Sequence, residues 1–584
     1  MDSPKLSNAT VSRMLSEVAA AYEAKGENRF KIRAYSTAAD SVEHATSEVR
    51  DLWEEGRLSE LPGIGTNIAS HLDEYFRTGK VQHFAELKKG LPPGMFEIFG
   101  IEGIGPKRAF QLAAELGIRN IADLYQAAQR GEIAKLEGFG ERSQKLVVKA
   151  IERRRGAEGR IVLPVAFSVA EKLIGEIGRF PGVVRADPLG SLRRMVSTVG
   201  DIDIGIATTK PAETIGAFNS LPDVGRVLVS GKAKASVVLK NGYQVDIRAH
   251  DPQSYGALLQ YFTGSKQHNI HLRKIANTNG LSLSEYGIAK YAGGRKVGDP
   301  LPVETEEDFY GLLGMGWIPP EIREDTGEIE AAQNGTLPKL VEVEDIEGEV
   351  HIHSLRSDGE ETVEEMVEAA VELGHRYLGI SDHAPSVISR GLGGAREEIL
   401  KRKKEIDQLR KNFKGKIELF FGAEVNINAR GKVALPDELL SLYEYTIGAI
   451  HTSFDQPREM ITERLLAGLK NSYVNVIAHP TGRLLGKREA YEVDWGRILT
   501  AAVRYKKVLE INSYPYRLDL PDDLVRAARG EGIRFLISTD AHHRKHYANL
   551  RFGVAVARRG WCERKDIVNA YPAVEFAKLL GVRG

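Results

Sequence analysis

Gly200-Asp201-Ile202-Asp203-Ile204-Gly205-Ile206 is the stretch on which the reading of this 584-residue chain turns. Its strict alternation makes a β-strand, since successive side chains of a strand point to opposite faces. Asp201 and Asp203 share one face, and Ile202, Ile204 and Ile206 the other. Downstream, Asn241-Gly242 marks a tight hairpin. On its return strand Gln244, Asp246 and Arg248 point away from Tyr243, Val245 and Ile247. If the two strands are neighbours, Asp246 joins the first pair. Three clustered carboxylates repel unless divalent cations sit among them. Hard oxygen ligands suit Mg²⁺ or Mn²⁺, and two ions across three Asp suit phosphoryl transfer. A solvated face of an amphipathic sheet would show the same alternation. Against it stands the upstream Gly190-Ser191-Leu192-Arg193-Arg194, a turn followed by guanidinium forks suited to a triphosphate.

Outward from this strand the texture changes twice. Residues 1 to about 155 are helical, with Val11, Leu15, Val18 and Tyr22 at helical spacing. Three phrases recur there with a period near 40 residues: Leu61-Pro-Gly63-Ile-Gly65, Glu102-Gly103-Ile-Gly105 and Glu137-Gly138-Phe-Gly140. A Gly-x-Gly hairpin between helices turns backbone N–H groups toward a phosphate, and three copies make a sequence-independent grip on nucleic acid. Lys107 and Arg108 follow the second phrase and Arg142 the third. A glycine that merely ends a helix accounts for one copy, not for three in step. From about 160 the chain is β-rich, then mixed to 318, and an acidic stretch with Gly and Pro at 319–345 has the composition of a linker.

After 346, short apolar runs alternate with helix-period segments, which implies a parallel sheet and, with this many units, a βα-barrel. Histidines and carboxylates fall in step with those runs: His351, His353, Asp358, His383, Glu424, His451, His479, Asp540 and His542. Residues just past the strand C-termini of such a barrel converge on one face. Nine ligands there satisfy up to three metals, Mn²⁺ or Zn²⁺, with water or substrate completing each shell. Arg483 and Arg517 also follow strand ends and are weaker phosphate candidates; Glu510-Ile-Asn512 is a supporting shell or polar lining.

Together, Gly190-Ser191…Arg194…Asp201-Ile-Asp203, Asp246-Ile-Arg248 and Tyr261-Phe262-Thr-Gly264-Ser resemble a family X DNA polymerase over roughly residues 1–318. His351-x-His353-x₄-Asp358-Gly, with the ligands after it, resembles the PHP (polymerase and histidinol phosphatase) domain over 346–584. The resemblance implies a multidomain fold: an all-α helix-hairpin-helix N-terminal region, an α/β nucleotidyltransferase-type palm with thumb, and a distorted TIM-like βα-barrel. Its expected divisions are 1–90 and 91–158 (helical, DNA-binding), 159–254 (palm), 255–318 (thumb), the linker, and 346–584. It further implies that Asp201, Asp203 and Asp246 hold two metals and that Gly190, Ser191 and Arg194 hold phosphates. Tyr261, Phe262 and Gly264 would line the sugar, Asn269 would reach the base, and Arg248 and Arg273 would contact DNA.

Two departures stand out. Leu189 and Met195 flank the phosphate loop where the family often has Gly, and His71 and Asn67 occupy positions where deoxyribose-phosphate lyases of the family carry Lys. Schiff-base chemistry needs an amine, so lyase activity is expected to be weak or absent.

The resulting expectation is a gap-filling polymerase joined to a metal-dependent 3′–5′ exonuclease that also processes 3′ ends and abasic sites. It would be a cytoplasmic monomer, nucleoid-associated when on DNA, taking gapped or primed DNA and dNTPs. A small-molecule phosphatase tethered to a DNA-binding module and a non-catalytic DNA-end scaffold are the rivals; neither needs both ligand sets intact. One Cys, Cys562, excludes an internal disulfide and zinc ribbons, and no long apolar run marks a membrane span or signal peptide. The 80 basic and 80 acidic residues seem to count against nucleic acid. Bound cations and backbone N–H groups escape that count, so neutrality argues only against strong non-specific binding.

Overall fold

The computed structural model describes residues 8–583 except 44–48, 50–52, 54–57, 59–60, 62, 102–103, 142, 149–159 and 293–294. The chain forms two compact units, 1–159 and 160–584. Gly103 and Arg142 of the repeated phrases lie outside the described residues.

The first unit is helical. Asn8–Ala24, Arg29–Glu43 and Thr66–Thr78 bury the predicted stripe of Val11, Leu15, Val18 and Tyr22 with Ile68 and Leu72. A second core is built on Met95, Ile98, Leu112 and Leu124. Gly65 and Gly105 both cap their following helices in extended backbone, with ψ of 177° and 174°. The first two copies of the sequence repeat thus share one helix-capping geometry.

In the second unit, a five-stranded sheet runs Val183–Pro188, Ile202–Thr208, Gln244–His250, Lys234–Leu239, Val224–Ser230. Its alternating Ile202, Ile204, Ile206, Val245 and Ile247 are buried against the helix Leu163–Ile177. Beyond it, the helices Tyr255–Thr263 and Lys266–Thr278 and a three-stranded antiparallel sheet surround a separate core that includes Leu272, Phe309 and Tyr310.

The stretch 319–345 departs from its linker composition: it is folded. It carries the helix Glu328–Gln333 and buries Ile322, Ile329 and Leu340 in the same core as Phe309. Several of its charges are buried in pairs. Arg323 is fully buried against Glu306, and Glu328 meets His268 at 2.7 Å. Composition cannot distinguish a solvated charge from one with a buried partner, which is why the sequence misreads this segment.

The remainder is a seven-stranded all-parallel sheet in sequence order, from Gly348–Glu349 to Phe535–Ser538. A parallel bridge between Ile352 and Ala541 brings its first and last edges together, so the sheet is a nearly closed barrel. Six of the expected apolar runs are its strands; the first strand, only two residues long, is too short to show periodicity. No helix among the described residues is long and apolar enough to cross a membrane.

Candidate metal centres

Ile202–Thr208 and Gln244–His250 are parallel neighbours with Asp203 directly opposite Asp246. One oxygen from each of Asp201, Asp203 and Asp246 lies within 4.8 Å of the others. Burial, then the charges of Asp201 and Asp246, push the Asp203 carboxyl up to about 7. Burial and Asp246 raise Asp201 as well. Carboxylates this close resist ionising together without a counter-charge, so the donor set fits a hard divalent cation.

Gly190 opens a one-turn helix, Gly190–Arg193, at φ 58°. A Cβ there would stand 2.5 Å from Asp203 Oδ2, so only glycine allows this approach. Ser191 is half-buried in the same turn. Leu189 is buried against Leu258, while Met195 takes φ 55°, a backbone suited to the Gly often found in this family. Arg194 donates Nε to Glu324 at 2.9 Å and Nη1 to the Thr263 carbonyl at 2.5 Å, against Gly264. Tyr261 and Phe262 form an edge-on pair, and the Arg248 guanidinium lies 4.1 Å from the Phe262 ring centre. The Asn269 amide is held by the Tyr261 carbonyl (2.7 Å) and Gln260 (2.9 Å). Arg273 is exposed one turn further, bonded to the Asn269 carbonyl.

Arg193, read from the sequence with Arg194 as a guanidinium fork for a triphosphate, is instead engaged within the protein. It forms a fork with Glu306, at 2.9 and 2.6 Å, and Glu306 also accepts from Arg323 at 2.6 Å. The partners lie over 100 residues away along the chain, so no local signal marks them.

In the helical unit, Gly63 takes φ 81°, and a Cβ there would meet Thr37 Cγ2 at 2.8 Å. Gly65, Gly105 and Gly140 have open space where a side chain would stand, as does Gly138, and Lys107 is exposed beside Gly105. The Nδ1 of His71 lies 2.7 Å from the Tyr35 hydroxyl and its ring stacks on His83 at 5.0 Å.

All nine barrel candidates converge at the C-terminal ends of the strands. Three ligand-sized groups form: His351, His353 and Asp540; His353, Asp358 and His383; His383, Glu424 and His451. Glu424 ties them together, with His451 at 3.0 Å, His479 at 3.1 Å and His383 at 3.2 Å. Asp358 lies 3.2 Å from each of His353, His383 and His542. Burial raises the Glu424 carboxyl, but His451, His383 and His351 more than offset it and hold it well below the usual carboxylate range. The buried atoms His351 Nε2, His353 Nε2, Asp358 Oδ1 and His479 Nδ1 have no hydrogen-bond partner. Buried polar atoms are rarely left so, and mixed imidazole and carboxylate donors fit a transition metal or zinc.

Supporting contacts fix the ligands. Buried Glu510 accepts from His351 Nδ1 (2.5 Å), Ser538 Oγ (2.5 Å), Asn512 Nδ2 (3.1 Å) and the His479 amide (2.6 Å). It therefore sets the orientation of two ligands, the usual work of a carboxylate behind a metal-binding His. Asp382, not singled out in the sequence, receives Ser354 and Ser357 and ties the His353 loop. Arg517 Nε reaches to 3.6 Å from Asp540. Arg483 is occupied with the carbonyls of Arg517 and Leu518, so it is structural and not a free phosphate ligand.

Known family models match four separate stretches of the chain. A helix-hairpin-helix domain matches residues 7–81, a SAM-like helix-hairpin-helix tandem 97–153, the DNA polymerase beta thumb 258–324 and the PHP domain 349–514. The chain is 34% identical over 563 residues to the DNA polymerase/3′-5′ exonuclease PolX of Bacillus subtilis, covering 96% of this chain and 97% of that one. DNA polymerase lambda of Rattus norvegicus is 25% identical over 54% of this chain and 56% of its own. A probable phosphatase of Caldanaerobacter subterraneus is 27% identical over 33% of this chain and 75% of its own. With near-complete coverage of one relative, and the palm and barrel ligand sets both in place, the chain belongs to the family X DNA polymerases that carry a PHP domain.

Proposed function

We propose that the chain is a template-directed DNA polymerase that fills short gaps, joined to a 3′–5′ exonuclease that clears the primer end and processes blocked or abasic 3′ termini. The convergence of Asp201, Asp203 and Asp246 on one point carries the polymerase reading, since a tethered phosphatase or scaffold needs no such cluster. The whole-length likeness to a polymerase/exonuclease supports joining the two activities.

In the palm, Asp201, Asp203 and Asp246 would hold two Mg²⁺ or Mn²⁺ ions. Such ions, when bound, neutralise the triphosphate and lower the pKa of an attacking hydroxyl. Asp246, one of whose oxygens accepts from Gln244 Nε2 at 3.1 Å, would assist removal of the primer hydroxyl proton. Gly190, Ser191 and Arg194 would hold the incoming phosphates, while Tyr261, Phe262, Gly264 and Asn269 would set the sugar and base. In the barrel, His351, His353, Asp358, His383, Glu424, His451, His479, Asp540 and His542 would hold up to three Mn²⁺ or Zn²⁺ ions. His383, His451 and His542 are the partly exposed members and mark the side from which a DNA end enters. Arg517 beside Asp540 is placed to meet its phosphate.

A labelled primer–template with a one-nucleotide gap, dNTPs and Mg²⁺ or Mn²⁺ tests this. Asp246→Ala should abolish extension and spare degradation; His353→Ala should do the reverse. Wild-type protein that does neither yet hydrolyses histidinol phosphate would establish the phosphatase reading instead.

A further inference from the structure

Arg194 follows directly on the phosphate turn Gly190–Arg193, yet it is not waiting free. Its Nε is 2.9 Å from Glu324 Oε1 and its Nη1 is on the Thr263 carbonyl. Its Nη2 makes no hydrogen bond within the described protein. Glu324 belongs to the folded 319–345 segment. The same Oε1 of Glu324 lies 3.1 Å from Nη1 of Arg559, which comes from the last long helix of the barrel half, Leu550–Arg559. Arg559 Nη1 also donates to the backbone carbonyl of Arg194 at 2.8 Å and of Glu321 at 3.2 Å, and its other edge pairs with Asp522 at 2.8 Å. Its side chain is 7% exposed, against 28% for Glu324. An arginine of the metallohydrolase half is thus buried on the nucleotide loop of the polymerase half.

The charges have a consequence. A triphosphate binding to Arg194 must compete with the carboxylate already there, since charge-assisted pairs of this kind are about twice as strong as neutral hydrogen bonds. A carboxylate oxygen shared between two guanidinium groups is held less tightly by each. We propose that Glu324 is an internal competitor for the triphosphate site, and that Arg559 is a positioning residue that weakens this competition while anchoring the Arg194 backbone. The barrel half then sets the dNTP affinity of the polymerase half without touching substrate. This rests on Arg194 being a triphosphate ligand.

Single-nucleotide extension on the full-length protein, with KM for dNTP and kcat measured separately and exonuclease rate measured on the same preparations, tests it. Arg559→Ala should raise KM about tenfold with kcat little changed, the pattern of lost ground-state binding. Exonuclease rate should stay at the wild-type value and report an intact fold. Glu324→Gln should lower KM about threefold by removing the competitor. The double variant decides: with no carboxylate to release, Arg559→Ala should raise KM by less than about twofold in the Glu324→Gln background. Arg559→Lys, which keeps the charge, should stay near wild type. An undiminished KM rise in the double variant, or no rise in Arg559→Ala, overturns the proposal. Arg194→Ala is the separate control: if it leaves KM unchanged, the assignment of Arg194 to the triphosphate is itself wrong.

Discussion

Glu306→Gln removes one charge from the most buried ionic cluster of the polymerase half. Glu306 is 3% exposed and accepts from Arg323 (2.6 Å), Arg193 (2.9 and 2.6 Å) and the Trp317 indole (3.2 Å). Burial raises its carboxyl, but Arg323 and Arg193 more than offset that and hold it well below the usual carboxylate range. Glutamine keeps the shape and turns an acceptor toward two cations into a neutral amide. Arg323, fully buried, is then left without a counter-ion. Removing one partner of such a pair costs about 3–5 kcal/mol. Because every 1.4 kcal/mol is a factor of ten, amide hydrogen exchange in the helix Glu306–Leu312 and around Arg323 should speed up by roughly 10² to 4 × 10³-fold. Exchange in the distal barrel strands should not change. Extension should fall, since Arg193 loses the fork that fixes the Gly190–Arg193 turn, while degradation persists. Exchange within about threefold of wild type would refute the view that this cluster holds the thumb core to the phosphate turn.

Other perturbations are as specific. Gly63→Ala forces a Cβ onto Thr37 in left-handed backbone and should destabilise the helical unit by about 1–3 kcal/mol, read as an earlier thermal unfolding step. Gly65→Ala meets no neighbour and should melt normally yet bind primed DNA more weakly; equal binding would end the idea of a backbone phosphate grip there. Mn²⁺ or Zn²⁺ at about 100 times its Kd should stabilise the barrel by about 2.7 kcal/mol, and His353→Ala should remove most of that shift. Burial pushes His375 down to about 4, below its unfolded value. The unfolded chain therefore binds its proton first, so this contribution to stability is complete above about pH 6.5 and is lost as pH falls toward 4. His375→Phe should flatten the denaturation midpoint between pH 6.5 and 5 by about 1–2 kcal/mol; an unchanged slope would show that His375 is not the group responsible.

Much of this molecule is local in origin. Alternation at Asp201–Ile206 makes a strand whatever surrounds it, and the turn at Asn241-Gly242 fixes which side Asp246 takes, so the palm carboxylates could be read in order. Most of the barrel ligands are equally legible, because they fall in or just after apolar runs that form buried strands; His351 and His353 follow a strand of only two residues. Two elements resisted. The segment 319–345 looks like solvated spacer because its acids are abundant; partners of those acids, Arg194, His268, Arg558 and Arg559, lie far away in the chain. Glu510 could be read as a supporting residue or as lining; only the fold shows that it is the acceptor that orients His351.

The sequence by itself determined the local conformations, the two carboxylate- and histidine-rich ligand sets and hence the chemistry each centre can do. Period, turn residues and donor type are properties of neighbours along the chain. Only the tertiary structure decided how those sets are held and joined. It placed Asp203 against Gly190, locked Arg193 to Glu306, and set Arg559 of the barrel against Arg194 of the phosphate turn. The reason is physical: an ion pair between residues hundreds of positions apart leaves no periodic trace, and its strength depends on burial that exists only once the chain is folded.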